Sequence, residues 1–578
     1  MKKNKYEKKG FINCNCGTAN FNQYMNQVFS LDMTIISVGD GGYLKDWVLY
    51  DEDGEYVRGK GVNDFINLLH LLRLRYNLEI HSDSCRDKII IYVDNTMKIM
   101  GFFKSQITDS FSTMSVTLLD HFEFRSYKLW NKEVTAPHAA YFMQKIVNEM
   151  FVPEKYFYLT PNQRTRKLLA KACRKEKSTI AKEIFPDTPA SYALLREALF
   201  GGICFCPYPN VIVENPMLEL DIKSAYIYIM LTKKFPIKRI KNVDVKNYEY
   251  YLNNSYENSL GIYKIKYTTA SNIITCYKYY DADGKAYHLQ KGENVEVTLT
   301  LNNIDLNLLL NLPNVYILSV ECMYLESYKM DYLPKYVCAK LIEEYIKKSQ
   351  INEDENPELY KVQKIVLNGI YGNTIKKLDD LSKYNSKKSK AYLAPQWGIW
   401  TTSYTKELLL GLALKMEGWM YSDTDSIYCF DNIDNCSKIE AYNAQILCNI
   451  YDLCDRIGCD YESLNELGKF EVKHHLKKFK ALCQKEYLYT TTEDKIIVKA
   501  AGCNKEQMKV DDDLYKADKL PVGTKTFGFI QDKYTEAIID GENVSSYGSY
   551  YEVVLSGEDA ALAMYAIESI KGDDDDEY

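Results

Sequence analysis

The sequence predicts a multidomain protein of mixed α/β (α+β) structure, and three observations lead there. Apolar strand-like runs alternate with amphipathic helical segments along most of the chain. A β-hairpin signal with an acidic tip, Tyr421-Ser422-Asp423-Thr424-Asp425-Ser426, joins the apolar runs Trp419-Met420-Tyr421 and Ile427-Tyr428-Cys429-Phe430. A length of 578 residues is that of about three to five domains.

Composition narrows the class. With 46% hydrophobic and 26% charged residues the chain reads as a soluble globular protein. No apolar run approaches the roughly 18 residues of a membrane span, and no signal-peptide core follows the basic Met1-Lys2-Lys3-Asn4-Lys5. A cytoplasmic protein without a membrane partner is expected. The 16 Cys are scattered, close only at Cys14-Asn15-Cys16 and Cys204-Phe205-Cys206, so a structural zinc is not expected. The net charge of -7 does not advertise nucleic-acid binding. Yet basic residues cluster at 164–167, 171–175 and 473–480, and net charge conceals such segregation. The 50 Tyr offer stacking faces for a single strand. A coding bias that raises Tyr, Asn, Lys and Ile together explains them equally well and is preferred.

In chain order, residues 1–30 are a polar lead-in. Residues 32–38 and 47–50 are strand-like, with Asp53-Gly54 as a hairpin turn. A capped helix over 63–72, a buried strand over 88–93 and a helix over 140–150 complete an α/β unit of about 185 residues. A helix over 191–200 ends at Gly201-Gly202. The strand Met217-Leu218-Glu219-Leu220-Asp221 then stops on a carboxylate and runs into Ile222-Lys223-Ser224-Ala225-Tyr226. Residues 240–325 are β-rich. Two helices follow, separated by a polar loop at 349–355, the second opening at Asn356-Pro357 with proline at its first position. A helix over 401–417, ended by Gly418, delivers the chain to the acidic hairpin.

Two carboxylates fixed on a hairpin invite a divalent cation, since Mg²⁺ prefers carboxylate oxygen, water and substrate phosphate. An ordinary acidic turn is the plain alternative. The Asn356 helix carries Lys361, Lys364, Asn368 and Tyr371 within about an 80° arc. Cations and an amide on one stripe suit a triphosphate, although a solvated lysine face is the commoner arrangement. The run 473–480, Gln484-Lys485-Glu486-Tyr487 and Lys499-Ala500-Ala501-Gly502 interleave bases and aromatics in a way that can grip a phosphodiester backbone.

Asp221-x-x-Ser224-x-Tyr226, Lys364-x-x-x-Asn368-x-x-Tyr371-Gly372 and Tyr421-x-Asp423-Thr424-Asp425-Ser426 resemble, in this order and spacing, the three polymerase motifs of the family B DNA polymerases. Lys485-Glu486-Tyr487 and Lys499-Ala500-Ala501-Gly502 are similar to motifs of the protein-primed phage and plasmid branch. The resemblance implies a right-hand polymerase of palm, fingers and thumb behind an RNase H-like exonuclease-type domain. Its divisions would be an exonuclease-like domain over 1–185, palm over 186–234 and 395–515, and an insertion resembling the priming-protein-binding region over 235–328. Fingers over 329–376, a shortened second insertion over 377–394, and a thumb with acidic tail over 516–578 complete them.

The implied activity is template-directed addition of dNTPs to a 3′-hydroxyl or to the hydroxyl of a terminal priming protein. Two Mg²⁺, with Mn²⁺ able to substitute, would be held by Asp221, Asp423, Asp425 and the carbonyl of Ile222. Lys364 would neutralise the triphosphate, helped by Lys361 and Lys347. Ser224, Tyr226, Asn368 and Tyr371 would surround the nucleotide, with Tyr226 excluding a 2′-hydroxyl. Gly201, Gly202, Thr424, Lys485, Tyr487 and Lys499 would hold primer and DNA. The resemblance has departures. Leu199-Phe200-Gly201-Gly202 stands for Tyr-x-Gly-Gly, Ile227 replaces a proline, and Gly369 replaces a serine. At the front, the exonuclease carboxylate positions align with Asp32, Thr34, Ile99 (beside Asn95) and Lys145 (beside Tyr141), which implies a retained fold without 3′–5′ proofreading.

Two rival functions remain. A reverse transcriptase usually carries adjacent Asp on its hairpin, whereas Thr424 separates Asp423 from Asp425 here. A non-catalytic scaffold binding DNA or a priming protein would have no need of Asp221, Asp423, Asp425 and Lys364 together.

Overall fold

The computed structural model describes residues 27–38, 41–51, 53–61, 89–93, 116–120, 180–243, 259–269, 279–280, 286–287, 295–312, 315–353, 355–375, 393–500, 510–517, 524–539 and 542–555, with isolated positions at 64–65, 67–68 and 169. The expected lead-in up to residue 26, the helix over 140–150, the second insertion up to 392 and the acidic tail lie outside these residues, while residues 27–30 of the expected lead-in are strand.

The front unit contains strands β1 (Gln27–Val38), β2 (Gly41–Asp51), β3 (Gly54–Lys60), β4 (Ile89–Val93) and β5 (Val116–Asp120) in the order β3-β2-β1-β4-β5. The first three are antiparallel and β1, β4 and β5 run parallel. Asp51 pairs with Gly54 across the expected turn, where Gly54 takes φ +122°, a conformation open to glycine.

Helices α1 (Ile180–Ile184) and α2 (Pro189–Glu197) lead to short strands β6 (Cys204–Phe205) and β7 (Ile212–Val213), then to β8 (Met217–Ile222) and helix α3 (Ala225–Thr232). Thr188 caps α2 by accepting from Ser191 N, with proline in the first turn. The β-rich stretch is β9 (Lys234–Val243), β10 (Ser259–Thr269), the small ribbon β11 (Tyr279–Tyr280) and β12 (Ala286–Tyr287), β13 (Val295–Asn302), helix α4 (Asn303–Leu310) and β14 (Val315–Tyr332). Its main sheet is ordered β13-β10-β14-β9. Alternate residues Tyr263, Ile265 and Tyr267 of β10 are buried, as the two-residue period requires.

Helices α5 (Lys335–Ser349), α6 (Pro357–Thr374) and α7 (Pro395–Ala413) follow. The helix expected over 401–417 is thus displaced toward the N-terminus. Pro395 supplies its first residue, and Gly418, at φ +62°, lies beyond its end, where a Cβ would strike the Phe430 ring. The hairpin is β15 (Tyr421–Asp423) and β16 (Ser426–Phe430). Then comes α8 (Ile433–Ile457), a helix of 25 residues for which no sequence expectation was formed. Strands β17 (Phe470–Cys483), β18 (Glu486–Thr491) and β19 (Ile496–Ala500) precede the two-stranded β20 (Thr524–Ile539) and β21 (Glu542–Leu555).

The structure centres on one sheet of order β19-β18-β17-β8-β16-β15-β6, with β7 pairing onto β17. One face packs Leu218, Leu220, Ile427 and Cys429 against α7 and the β10–β14 sheet. No helix among the described residues is long and apolar enough to cross a membrane.

Candidate active site

The sheet register brings the two distant acidic motifs together. Ser426 of β16 lies opposite Asp423 on β15 and opposite Asp221 on β8. Directly opposed residues share a face, so Asp221 and Asp423 stand on one side of the sheet, their Cα atoms about 9–10 Å apart across two strand spacings. The small Ser426 lies between them, its hydroxyl donating to the Asp423 carbonyl at 3.0 Å. Asp425 joins from the tip: its carbonyl accepts from Ile222 N at 2.9 Å.

The tip is held under strain. Thr424, a β-branched residue, takes φ +60°. Its N–H donates to the Ile203 carbonyl at 2.6 Å, and its hydroxyl donates to Asp423 Oδ1 at 3.0 Å. Gly202 lies close beneath, where a Cβ would come within 2.8 Å of the Thr424 methyl. On the same sheet face as the carboxylates, Tyr421 and Tyr428 pack with Phe479 and Tyr487, ring centroids 4.6 Å apart for Tyr421–Tyr487 and 5.1 Å for Tyr428–Phe479. The Tyr428 hydroxyl donates to Glu219 Oε1 at 2.7 Å. This aromatic layer fixes the hairpin from beside the carboxylates.

Lys485 closes the site. The Tyr421 hydroxyl accepts from its backbone N–H at 2.9 Å, holding the residue at φ +65°. From there its ammonium forms an ion pair with Asp423 and donates to Thr424 Oγ1 at 3.3 Å.

The electrostatics follow from this crowding. Burial, with repulsion from Asp221 and then Asp423, pushes the Asp425 carboxyl up to about 7. Burial also raises Asp221, against the lowering influence of Lys473 and Lys364. Opposite the carboxylates, burial and the neighbouring Lys364 and Lys473 bring Lys348 down to about 8. The carboxylates crowd one another, and so do the ammoniums beside them.

The nucleotide residues expected from sequence converge in part. Ser224 takes φ +53°, turning β8 sharply into α3, so that Tyr226 occupies the first helical turn. The Tyr226 and Tyr371 rings meet at 4.3 Å between centroids. Lys364 and Asn368 are exposed on α6, while Val366 and Ile370 are buried. Gln363 ties α6 to α5 by donating to Glu344 Oε2 at 2.6 Å.

The remaining expected site residues are placed as follows. Lys347 is turned away, paired with Glu343 at 2.7 Å and Glu344 at 3.3 Å, because it lies four and three residues after them on one helix. Lys348 is the α5 lysine that faces Asp221, and its phase with the buried Leu341 and Tyr345 was the available signal. Lys361 lies on α6, but its side chain is outside the described part. Tyr487 is 6% exposed, so its ring supports the hairpin and does not offer a surface to a primer. The basic run 473–480 is a sheet strand whose charges are largely occupied locally: Lys473 with Glu471, Lys477 with Asp494 at 2.7 Å, and buried Lys480 donating to the Tyr515 and Ala517 carbonyls. Gly202 lies against the tip, while Gly201 takes φ +69° with open space where a Cβ would be. Lys499 is half-buried opposite Tyr487. In the front sheet Asp32 is exposed, and Thr34 lies opposite Asp46. Asn95, Ile99, Tyr141 and Lys145 lie outside the described residues.

Among the described residues no group of three or more His, Cys, Asp or Glu side chains converges as a metal site. The donor set still suits a hard cation. It is all oxygen, two carboxylates share one sheet face, and Mg²⁺ characteristically completes its shell with water and substrate phosphate.

The comparisons agree with this geometry. The family model for DNA polymerase type B, organellar and viral, matches residues 142–396. Phi29 DNA polymerase with primer-template DNA shares the fold at TM-score 0.57 and 13% identity, covering 91% of this chain and 100% of that one. The Phi29 ternary complex with primer-template DNA and incoming nucleotides gives 0.56, 13%, 91% and 99%. No curated protein matches the chain. Residues 142–396 thus carry the likeness to the type B DNA polymerase family, and the fold is the right-hand polymerase fold related to that of Phi29 DNA polymerase.

Proposed function

We propose that this chain is a family B DNA polymerase that joins dNTPs to a 3′-hydroxyl, or to the hydroxyl of a priming protein, by two-cation phosphoryl transfer centred on Asp221 and Asp423, without 3′–5′ proofreading. The observation that carries the reading is the register Asp221–Ser426–Asp423, two carboxylates on one sheet face with Asp425 beside them. Asp221, Asp423 and the Ile222 carbonyl would hold Mg²⁺, with Asp425 in support. When bound, the cations supply charge neutralisation at the attacking and leaving oxygens.

The chain's own residues do the rest. Lys364 and Lys348 neutralise the triphosphate as charge passes to the leaving pyrophosphate. Tyr226, packed at a tilt against Tyr371, lies under the sugar and excludes a 2′-hydroxyl. Asn368 and Tyr371 line the nascent base pair. Lys485 neutralises Asp423 until a cation binds, then turns to the primer phosphate. The Phi29 complexes with primer-template DNA and nucleotides support the same occupants here.

Protein priming is supported by the β10–β14 sheet, inserted where the resemblance expects a priming-protein-binding region. The strand order β3-β2-β1-β4-β5 supports an RNase H-like front domain. Thr34, two residues from Asp32 on the same face, supports the loss of its nuclease.

Asp423→Ala tests the central assignment. Primer extension should vanish while primer-template binding stays within a few-fold of wild type. Undiminished extension would remove Asp423 from the chemistry. Extension on RNA as readily as on DNA templates would favour the reverse-transcriptase alternative.

A further inference from the structure

A second cationic feature lies outside the catalytic site. Between β9, β14 and α7 is a recess of about 800 Å³, lined by Lys234, Lys238, Lys329, Met330, Tyr328 and Tyr404 among others. Lys238 and Lys329 lie directly opposite each other across the β9–β14 ladder, and both are exposed. Like charges opposed in this way repel.

Neighbouring Arg239 is neutralised by Asp187 at 2.7 Å and Glu326 at 3.0 Å. Lys234, Lys238 and Lys329 have no ion-pair partner among the described residues. Lysines on an edge strand commonly block strand addition, and β9 is the edge of its sheet. The pairing of β14 with β10 ends at Ser327, so Lys329 also lies on a stretch paired on one side, but edge protection does not require two lysines set directly opposite each other. Two opposed, uncompensated ammoniums on a chain of net charge -7 call for an anion supplied from outside.

The recess has an aromatic wall. Tyr404 is half-buried, its hydroxyl donating to the Lys234 carbonyl at 3.0 Å, and Lys233 lies 5.5 Å over its ring. Ile240, 59% exposed, adds an apolar rim. Cations beside an aromatic face suit phosphates followed by a flat base, the pattern of single-strand binding. An acidic peptide would use the cations and leave the aromatic wall idle.

We propose that this recess binds single-stranded DNA, with phosphates on Lys238 and Lys329 and a base against Tyr404. The proposal rests on the chain being a DNA polymerase, but it concerns a surface separate from the catalytic carboxylates.

For the test, the full chain is saturated with a short primer-template hairpin that fills the polymerase cleft. A fluorescent oligothymidylate of about 30 nucleotides is then added and its anisotropy followed. K238E/K329E should weaken this binding about tenfold or more, and the slope of log affinity against log salt should flatten by about 1.4. Extension on short templates should be unchanged. Because charge reversal can disturb folding, K329Q is the second variant. It should melt above wild type at low salt, the repulsion being relieved, yet bind the oligonucleotide several-fold more weakly. Oligonucleotide binding unaltered in K329Q overturns the proposal. So does a loss seen only for an acidic protein partner, with DNA binding intact. The catalytic reading fails in the extension assay and this one in the binding assay, so the two failures are separable.

Discussion

Gly202→Ala probes how far catalysis depends on the strained hairpin tip. An added Cβ would sit 2.8 Å from Thr424 Cγ2, 3.0 Å from Oγ1 and 3.1 Å from Cβ, whereas ordinary contacts begin at 3.4 Å. Rotating the Thr424 side chain cannot clear the clash, because its Cβ is itself too close. The tip must retreat by at least about 0.3 Å at Thr424 Cβ and about 0.6 Å at the methyl. Thr424 lies between Asp423 and Asp425, so both carboxylates move with it. A misplacement of about 1 Å costs about 100-fold in rate, so a shift of roughly half that predicts a loss of about tenfold. Overpacking should cost about 1–3 kcal/mol of stability. The assay is single-turnover incorporation on a primed template, with a thermal melt alongside. Thr424→Gly supplies the control, since it removes the clashing Cβ and suits φ +60°. The double variant should recover most of the lost rate. A wild-type rate in Gly202→Ala, or a double variant no better than the single one, would refute the reasoning.

Three further outcomes are expected. Lys348→Gln should raise the KM for dNTP about tenfold, as loss of a charged hydrogen bond predicts, while Lys347→Gln should change it little; KM should also rise with pH through about 8 in wild type, as Lys348 loses its proton, and less so in the Gln variant. The Asp425 carboxyl is raised from 3.8 to about 7, so its favourable contribution is complete below about 4 and lost as pH climbs through 7; without divalent cation the enzyme should melt lower at pH 8 than at pH 6, Mg²⁺ should recover more at pH 8, and Asp425→Asn should shrink both differences. A 5′-labelled primer incubated with Mg²⁺ and no nucleotides should stay full length; a ladder that disappears in Asp32→Ala would show that Asp32, with a carboxylate such as Asp46 opposite Thr34, still forms a working nuclease.

The pieces that carry strong local signals were legible in the sequence. The apolar–acidic hairpin, the strand ending at Asp221 and the proline-started α6 all formed as expected. Register was not legible, because pairing β8 with β16 joins segments about 200 residues apart and local pattern says nothing about partners. Lys347 and Lys348 illustrate the same limit at one residue's resolution, since helical phase and nearby Glu decide which one reaches the site. Helix α8 was a different failure. Its Asn432 cap, its apolar positions Ile439, Ile446, Ile450 and Leu453 and its terminal Gly458 are signals of a capped amphipathic helix that local pattern does carry. Tyr487 shows that a motif residue can be buried beside the site, a burial that no single-residue pattern reveals.

The order of the central sheet also dictates when the catalytic centre can come into being. Strand β8 is interior, with β16 on one side and β17 on the other, and both follow it by roughly 200 residues or more. At about 5–20 residues per second, a ribosome takes tens of seconds to supply them. During that interval both edges of β8 and the side chains of Leu218 and Leu220 have no native partners in the sheet. Such long-range pairing makes folding slow and exposes an unpaired strand to aggregation. Nascent chains released before about residue 480 should therefore be captured by chaperones or precipitate, while the complete chain folds.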